Sequence, residues 1–224
     1  DGDIYFYYSL NSNKRIDKFT MNANISVNVM FVGDDCYGLF VDINDNLYCS
    51  MQYSHKVISK SLNISTNTSI IVAGNGSYGQ ASNMLYAPRG IFVDINFDLY
   101  VADYSNDRIQ LFQQGTLNGI TVAGSGSSTI TISLYRPTGI ILDADKYLYI
   151  IEYGSHRIVG QGPTGFRCLV GCNGGGSASN QLTYPYSLAF DIYGNLFVAD
   201  TNNNRIQKFV LSSNSSICGK ILQI

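Results

Sequence analysis

The chain lacks a long apolar run. Nowhere in its 224 residues does hydrophobic sequence approach the roughly 20 residues that a membrane-spanning helix needs. It also lacks charge. Only 13% of residues are Asp, Glu, Lys or Arg, and the formal net charge is −2. No basic field exists to draw a phosphate backbone, so nucleic acid is not an expected partner. Histidine is scarcer still, with two in the whole sequence, His55 and His156. A Ser-His-Asp arrangement needs a nucleophile activated by one of them, and no serine is singled out for that role. What the chain does have is apolar residues, at 45%, in a length sufficient for one well-buried domain. A soluble, folded chain with no membrane insertion is expected.

The strongest positive signal is repetition. Taking Asp42, Asp94, Asp143 and Asp191 as origins, a leucine follows five residues later each time, at Leu47, Leu99, Leu148 and Leu196. A basic residue and a branched aliphatic follow at fourteen and fifteen, as Lys56-Val57, Arg108-Ile109, Arg157-Ile158 and Arg205-Ile206. Fixed offsets at a period of 48 to 52 residues mark a repeat architecture. Within each copy a short β-branched run such as Gly90-Ile91-Phe92-Val93 reads as a strand, four turn-prone residues follow, and Leu99-Tyr100-Val101-Ala102 returns. Neither run alternates cleanly, which predicts cover on both faces. The third run, Arg108 to Phe112, does alternate and is expected to be exposed on one side. Ile120 to Gly124 supplies a fourth strand. Four antiparallel strands of this kind make a propeller blade, so the fold class expected is all-β, a β-propeller of four-stranded antiparallel blades.

These residues carry a resemblance. Pro-x-Gly-Ile-x-x-Asp, then Leu-Tyr-Val-Ala-Asp, then Asn-x-Arg-Ile-Gln, is similar to the NHL repeat, over nearly the whole chain. The resemblance implies a propeller in a family where six blades are usual and functions are diverse. Here the expected units run at about 36–74, 87–124, 136–171 and 184–224, after a partial unit at 1–33 that lacks its inner strand, all within one domain of residues 1–224. An unclosed propeller exposes strand edges. The expectation is that further chain or an unusual closure completes it, ahead of a strand donated by a neighbouring molecule. Asp1 is accordingly read either as a mature terminus or as part of a longer chain.

Compartment is signalled by sequons and cysteines. Asn24, Asn63, Asn67, Asn75 and Asn214 each begin Asn-x-Ser/Thr. All but Asn75 fall in the expected turn between third and fourth strands, at an outer rim where a sugar is harmless. Five cysteines point to the same oxidising compartment. Cys168 and Cys172 can meet if Gly171 reverses the chain. Cys36 and Cys49 lie on adjacent strands, but simple ladder counting pairs Cys49 with Phe40, so their bridge requires an offset or a bulge. Cys218 is the odd one.

The remaining polar positions read as scaffold. Asp103, Glu152 and Asp200 each precede their arginine by five residues, and where the carboxylate becomes Met51 the arginine becomes Lys56. That joint change predicts a repeated ion pair or loop clamp. Gly74-Asn75-Gly76-Ser77-Tyr78-Gly79 has the form of a dinucleotide fingerprint, yet a strand rather than a helix should follow it, so it is a blade connector. His55 and His156 share one offset and read as solvated loop residues. Some lyases resembling the NHL family hold a channel metal with histidines, but the other copies offer only Lys14, Asp107 and Asn204 there, a poor zinc set. No cofactor and no catalytic residue are expected.

What is left is a loop surface carrying Tyr53, His55, Tyr104, Tyr153, His156 and Asn202, of the type that makes protein or carbohydrate contacts. The function expected is an extracellular, glycosylated, non-enzymatic propeller acting as an interaction or structural assembly module, with self-assembly into an oligomer or filament as its sharper form. The alternative is a secreted metal-dependent lyase or hydrolase with its site in the channel. Material secreted by a eukaryotic host should lose mass on N-glycosidase treatment, measured by intact mass spectrometry. An unchanged mass would remove the sequon argument.

Overall fold

The computed structural model describes residues 3–10, 13–64, 68–128, 131–211 and 221–223. Among them the regular structure is strand, apart from two single 3-10 turns, Tyr104–Asn106 and Thr201–Asn203. The fold is a β-propeller of antiparallel blades. The first sheet has three strands, β1 (Asp3–Leu10), β2 (Asn13–Thr20) and β3 (Ile25–Phe31). The second has β4 (Cys36–Val41), β5 (Asn46–Met51), β6 (Lys56–Ser61) and β7 (Ile70–Ala73), and the third β8 (Ile91–Val93), β9 (Leu99–Asp103), β10 (Arg108–Phe112) and β11 (Ile120–Gly124). The fourth holds β12 (Pro137–Leu142), β13 (Leu148–Glu152), β14 (Arg157–Gly162) and β15 (Gly165–Val170). The fifth holds β16 (Pro185–Phe190), β17 (Leu196–Asp200), β18 (Arg205–Leu211) and β19 (Ile221–Gln223). Sequence order is spatial order in every sheet. The chain divides into two compact units, Asp1–Leu99 with Phe112–Gly119, and Tyr100–Leu111 with Ile120–Ile224.

The origin aspartates turn out to build the hairpins between the first two strands of each unit. Asp42 Oδ1 accepts the amides of Asn44 and Asn46, both at 2.9 Å. Asp94, Asp143 and Asp191 each repeat the pair of bonds to the second and fourth residues that follow. The third residue must then be left-handed, and it is, at Asp45 (φ 58°), Phe97 (φ 63°), Lys146 (φ 64°) and Gly194 (φ 78°). Only the last copy spends a glycine on it.

Packing follows from the alternation of side chains across the strands. In the second compact unit Tyr149, Ile151 and Ile158 meet Leu188, Leu196, Val198 and Phe209 in one core cluster, with Leu182 sealed inside it. In the first, Ile16, Met30, Leu47, Cys49 and Ile58 form the equivalent cluster, with Tyr5 and Tyr7 packed against it. Burying a side chain such as Leu196 contributes roughly 1.5–3 kcal/mol. Leu182 was not anticipated, although its counterparts Leu85 and Leu134 stand at the same distance from their aspartates and are buried as well.

Two expectations are corrected. The third strand of the 87–124 unit is not exposed on one side: Arg108, Ile109, Gln110 and Phe112 are all buried, and only Leu111 is partly open. Its polar residues are covered because they have partners, Asp103 for Arg108 and Thr121 for Gln110. The ladder opposite Cys49 is also shifted by one, to Leu39, while Phe40 opposes Tyr48. The bulge between Cys36 and Gly38 then brings Cys36 within reach, and Cys36 and Cys49 are disulfide-bonded with Cα atoms 5.5 Å apart. Cys168 and Cys172 are bonded too, at 5.7 Å, across the left-handed Gly171 (φ 72°). Asn67, Asn214 and Cys218 lie outside the described residues.

The predicted clamp is an ion pair in three copies. Arg108 Nε donates to Asp103 at 2.8 Å, Arg157 Nε to Glu152 at 2.5 Å and Arg205 Nε to Asp200 at 2.8 Å, each carboxylate being fully buried. In two copies the rest of the fork is seen to go elsewhere: Arg205 donates to the carbonyls of Ser177, Ala178 and Gln181, and Arg157 to that of Ser133. The pair therefore ties the incoming connector to the sheet.

Burial pushes the Asp200 carboxyl up, but donors at Thr183, Asn203, Arg205 and Gln207 outweigh it and hold the pKa below its ordinary value. Asp191 is held low chiefly by the Asn195 side chain. Both groups titrate lower folded than unfolded, so their stabilisation is complete above about pH 4 and is lost as pH falls through the lower folded values. The melting temperature should fall between about pH 5 and pH 2, and D200N should flatten that slope. Equal slopes for the two proteins would contradict the assignment.

Candidate functional site

His55 and His156 are not solvated loop residues. Both are partly buried and left-handed, with φ of 51° and 55°; at the same offset Asp107 (φ 53°) is likewise partly buried and left-handed, and Asn204 (φ 52°) is left-handed but exposed. From that position the side chain accepts a backbone amide at the start of the next unit. His55 Nδ1 takes the amide of Ala87 at 3.2 Å, Asp107 Oδ1 that of Arg136 at 2.7 Å and His156 Nδ1 that of Tyr184 at 3.0 Å. An imidazole that accepts at Nδ1 carries its proton on Nε2, so these rings have no lone pair left for a metal. Among the described residues no group of three or more His, Cys, Asp and Glu could hold one. The carbonyl of the same residue lies against a glycine that ends the fourth strand. A β-carbon on Gly74, Gly124 or Gly171 would collide with the oxygen of His55, Asp107 or His156 respectively, and all three glycines have positive φ.

The aromatic loop residues are sorted differently in the two compact units. In the first, Tyr53 packs edge-on against Tyr37 at 6.4 Å, with Arg89 over the Tyr37 ring at 5.5 Å. His55 instead packs with Tyr78 and Tyr86, at 5.7 and 5.6 Å. Tyr53 and Tyr78 remain 62% and 68% exposed. In the second unit Tyr104, Tyr153, Tyr184 and His156 form one continuous row, with successive ring centroids 6.4, 4.7 and 4.3 Å apart. Tyr104, Tyr153 and His156, singled out from the repeat, are thus brought together by Tyr184, which was missed. Asn202 is exposed and stands outside the row, its amide bonded to the Thr183 carbonyl. The missed aromatics had a signal: Tyr86, Tyr135 and Tyr184 stand within two residues of the proline that opens a unit.

Of the sequon asparagines described, Asn24, Asn63 and Asn75 are exposed. Asn24 sits in the β2–β3 turn, Asn63 follows β6 with its amide on the Asn44 carbonyl at 3.3 Å, and Asn75 accepts from the Ser77 amide at 2.9 Å in the connector after β7. The first compact unit also holds a cavity of about 510 Å³ lined by Tyr48, Ser59, Ile70, Ile71, Gln114 and Leu117. Burial, reinforced by its bond to Asp42, raises the Tyr48 hydroxyl above the usual phenol range.

If the amide capture matters as the geometry indicates, His156→Ala should destabilise the chain by about 1–3 kcal/mol, the cost of an amide left without its acceptor. His156→Asp should recover part of that, because Asp107 makes the same bond in a sister copy. Chemical denaturation of the three proteins measures both effects.

No family model matches the chain, and no curated protein matches it. Solved structures do. A chain in the crystal structure of the nidogen–laminin complex gives a TM-score of 0.69 at 16% identity, over 92% of this chain and 73% of that one. An auxiliary nutrient binding protein from Bacteroides thetaiotaomicron gives 0.69 at 15%, over 92% and 56%. A catalytically inactive virginiamycin B lyase from Staphylococcus aureus, crystallised with quinupristin, gives 0.60 at 15%, over 98% and 66%. This chain accordingly spans from 56% to 73% of the length of these structures. At such identities the likeness is one of fold alone, and that fold is the β-propeller.

Proposed function

We propose that the chain is an extracellular, glycosylated propeller of NHL type that binds a partner protein and carries out no chemistry of its own. One observation carries this reading. The polar residues that recur in the copies are consumed internally: Asp103, Glu152 and Asp200 by arginines and loop donors, Asp42 and its equivalents by hairpin amides, and His55 and His156 by the amides of the next unit. A catalytic group needs a free lone pair or a transferable proton beside open space, and these groups spend theirs on arginines, loop side chains and backbone amides. Tyrosines of the loops meanwhile stay partly or largely open, with the apolar body and polar tip that protein contacts favour.

Two disulfides support an oxidising compartment, as do the exposed asparagines at Asn24, Asn63 and Asn75. Among the described residues no helix is long and apolar enough to cross a membrane. Elemental analysis of protein purified from a secreting host without added chelator should find no stoichiometric metal. Zinc or calcium at one per chain, retained through gel filtration, would overturn the proposal in favour of a metal-dependent lyase or hydrolase.

A further inference from the structure

The residue seven positions before each origin aspartate is needed by the fold only for its backbone. Ala87, Arg136 and Tyr184 occupy it, with φ of 53°, 54° and 50°, and each gives its amide to the residue at the histidine offset. Three unlike side chains on one conserved main-chain geometry mean that the side chain is open to another use. Arg136 is the charged one.

Its setting is built. The Arg136 amide is held by Asp107, its carbonyl accepts from the Tyr153 amide at 3.1 Å, and the Tyr135 carbonyl accepts from Gly154 at 3.2 Å. The Tyr135 ring lies so close over Gly154 that any β-carbon there would collide with it. On that braced backbone the exposed guanidinium sits 5.8 Å from the Tyr104 ring centroid and 5.4 Å from that of Tyr135. Those rings are its partners among the described residues. The arginines of the clamp, by contrast, are all tied to buried carboxylates. A guanidinium held over two rings has already given up much of its rotamer freedom, while its planar fork of donors remains unspent.

The neighbouring rings indicate what would bring the anion. Along the row of Tyr104, Tyr153, Tyr184 and His156 the interplanar angles are 62°, 40° and 77°. No adjacent two are coplanar, so neighbouring rings do not extend one another into a flat platform for a sugar. A tilted row of half-buried tyrosines suits the uneven side chains of a peptide. We infer that Arg136, seated over Tyr104 and Tyr135 at the end of the row that continues through Tyr153 and Tyr184, is the anchor for an acidic segment of a partner protein, whose carboxylate the guanidinium takes through two parallel hydrogen bonds. This rests on the interaction-module reading above.

Selection of random heptapeptides displayed on phage against the immobilised full chain tests it. Enrichment of Asp and Glu is expected, and a synthetic peptide from the enriched set should bind Arg136→Met about tenfold more weakly or worse, since charge-assisted pairs of this kind are among the stronger hydrogen bonds. Arg136→Lys should recover only a small part, lacking the fork. Unchanged melting temperatures exclude a folding defect. Selected peptides without acidic preference, or acidic ones indifferent to Arg136→Met, overturn the anchor while leaving the interaction module standing. A uronate oligosaccharide that binds through Arg136 when no peptide does overturns the peptide as occupant. Failure of every peptide and oligosaccharide sinks both readings.

Discussion

Where the chain enters a blade, it turns in backbone amides that no strand is placed to receive, and an amide shielded from water without an acceptor is costly. The repeat meets this demand with two side chains acting on consecutive residues. The Thr183 amide goes to Asp200 and the Tyr184 amide to His156; the Tyr135 amide goes to Glu152 and the Arg136 amide to Asp107. One acceptor comes from the blade being entered and the other from the blade just left. The same carboxylates orient the arginines that hold the connector carbonyls, so donors and acceptors of the link are satisfied together. Successive repeats are thus joined by polar bonds as well as by apolar packing.

The unit at 36–74 shows what happens when part of this scheme is missing. Met51 and Lys56 replace the carboxylate and arginine and stand opposite each other in the β5–β6 ladder without an ion pair to make. That same unit carries the Cys36–Cys49 bridge, which links β4 to β5 covalently. Such a cross-link acts by restricting the unfolded chain, whereas the clamp acts in the folded one. The Cys168–Cys172 bridge has a more local task, fixing the turn where β15 ends.

Because the scaffold spends its recurring polar groups on itself, recognition falls to positions that the repeat constrains only in backbone. The residue before the connector proline shows this most plainly. Its amide and its left-handed conformation are invariant across three copies, whereas its side chain is methyl, guanidinium or phenol. The loop tyrosines are a second such set, packed edge to face or tilted among themselves and still partly open to solvent. Sameness of the copies serves the fold, and departures from sameness mark where a partner can be read.

The amino-acid sequence alone determined the fold class and the clamp, because both rest on local periodicity and fixed offsets: Asp191 to Leu196 to Arg205-Ile206 lie within one unit and need no knowledge of its neighbours. The bridge between Cys168 and Cys172 was legible for the same reason, with Gly171 lying between them. What the tertiary structure alone decided are the relations between one unit and the next. That His156 caps Tyr184, that Arg136 leans on Tyr104, and that Leu182 plugs a core reached through the next blade all depend on contacts across tens of residues of sequence. The one-residue shift that sets Cys49 opposite Leu39 was hidden because a bulge leaves no mark in a pattern of alternating side chains. Burial of the whole third strand at 108–112 was hidden too, since Arg108 and Gln110 look solvated until the partners that cover them are in place.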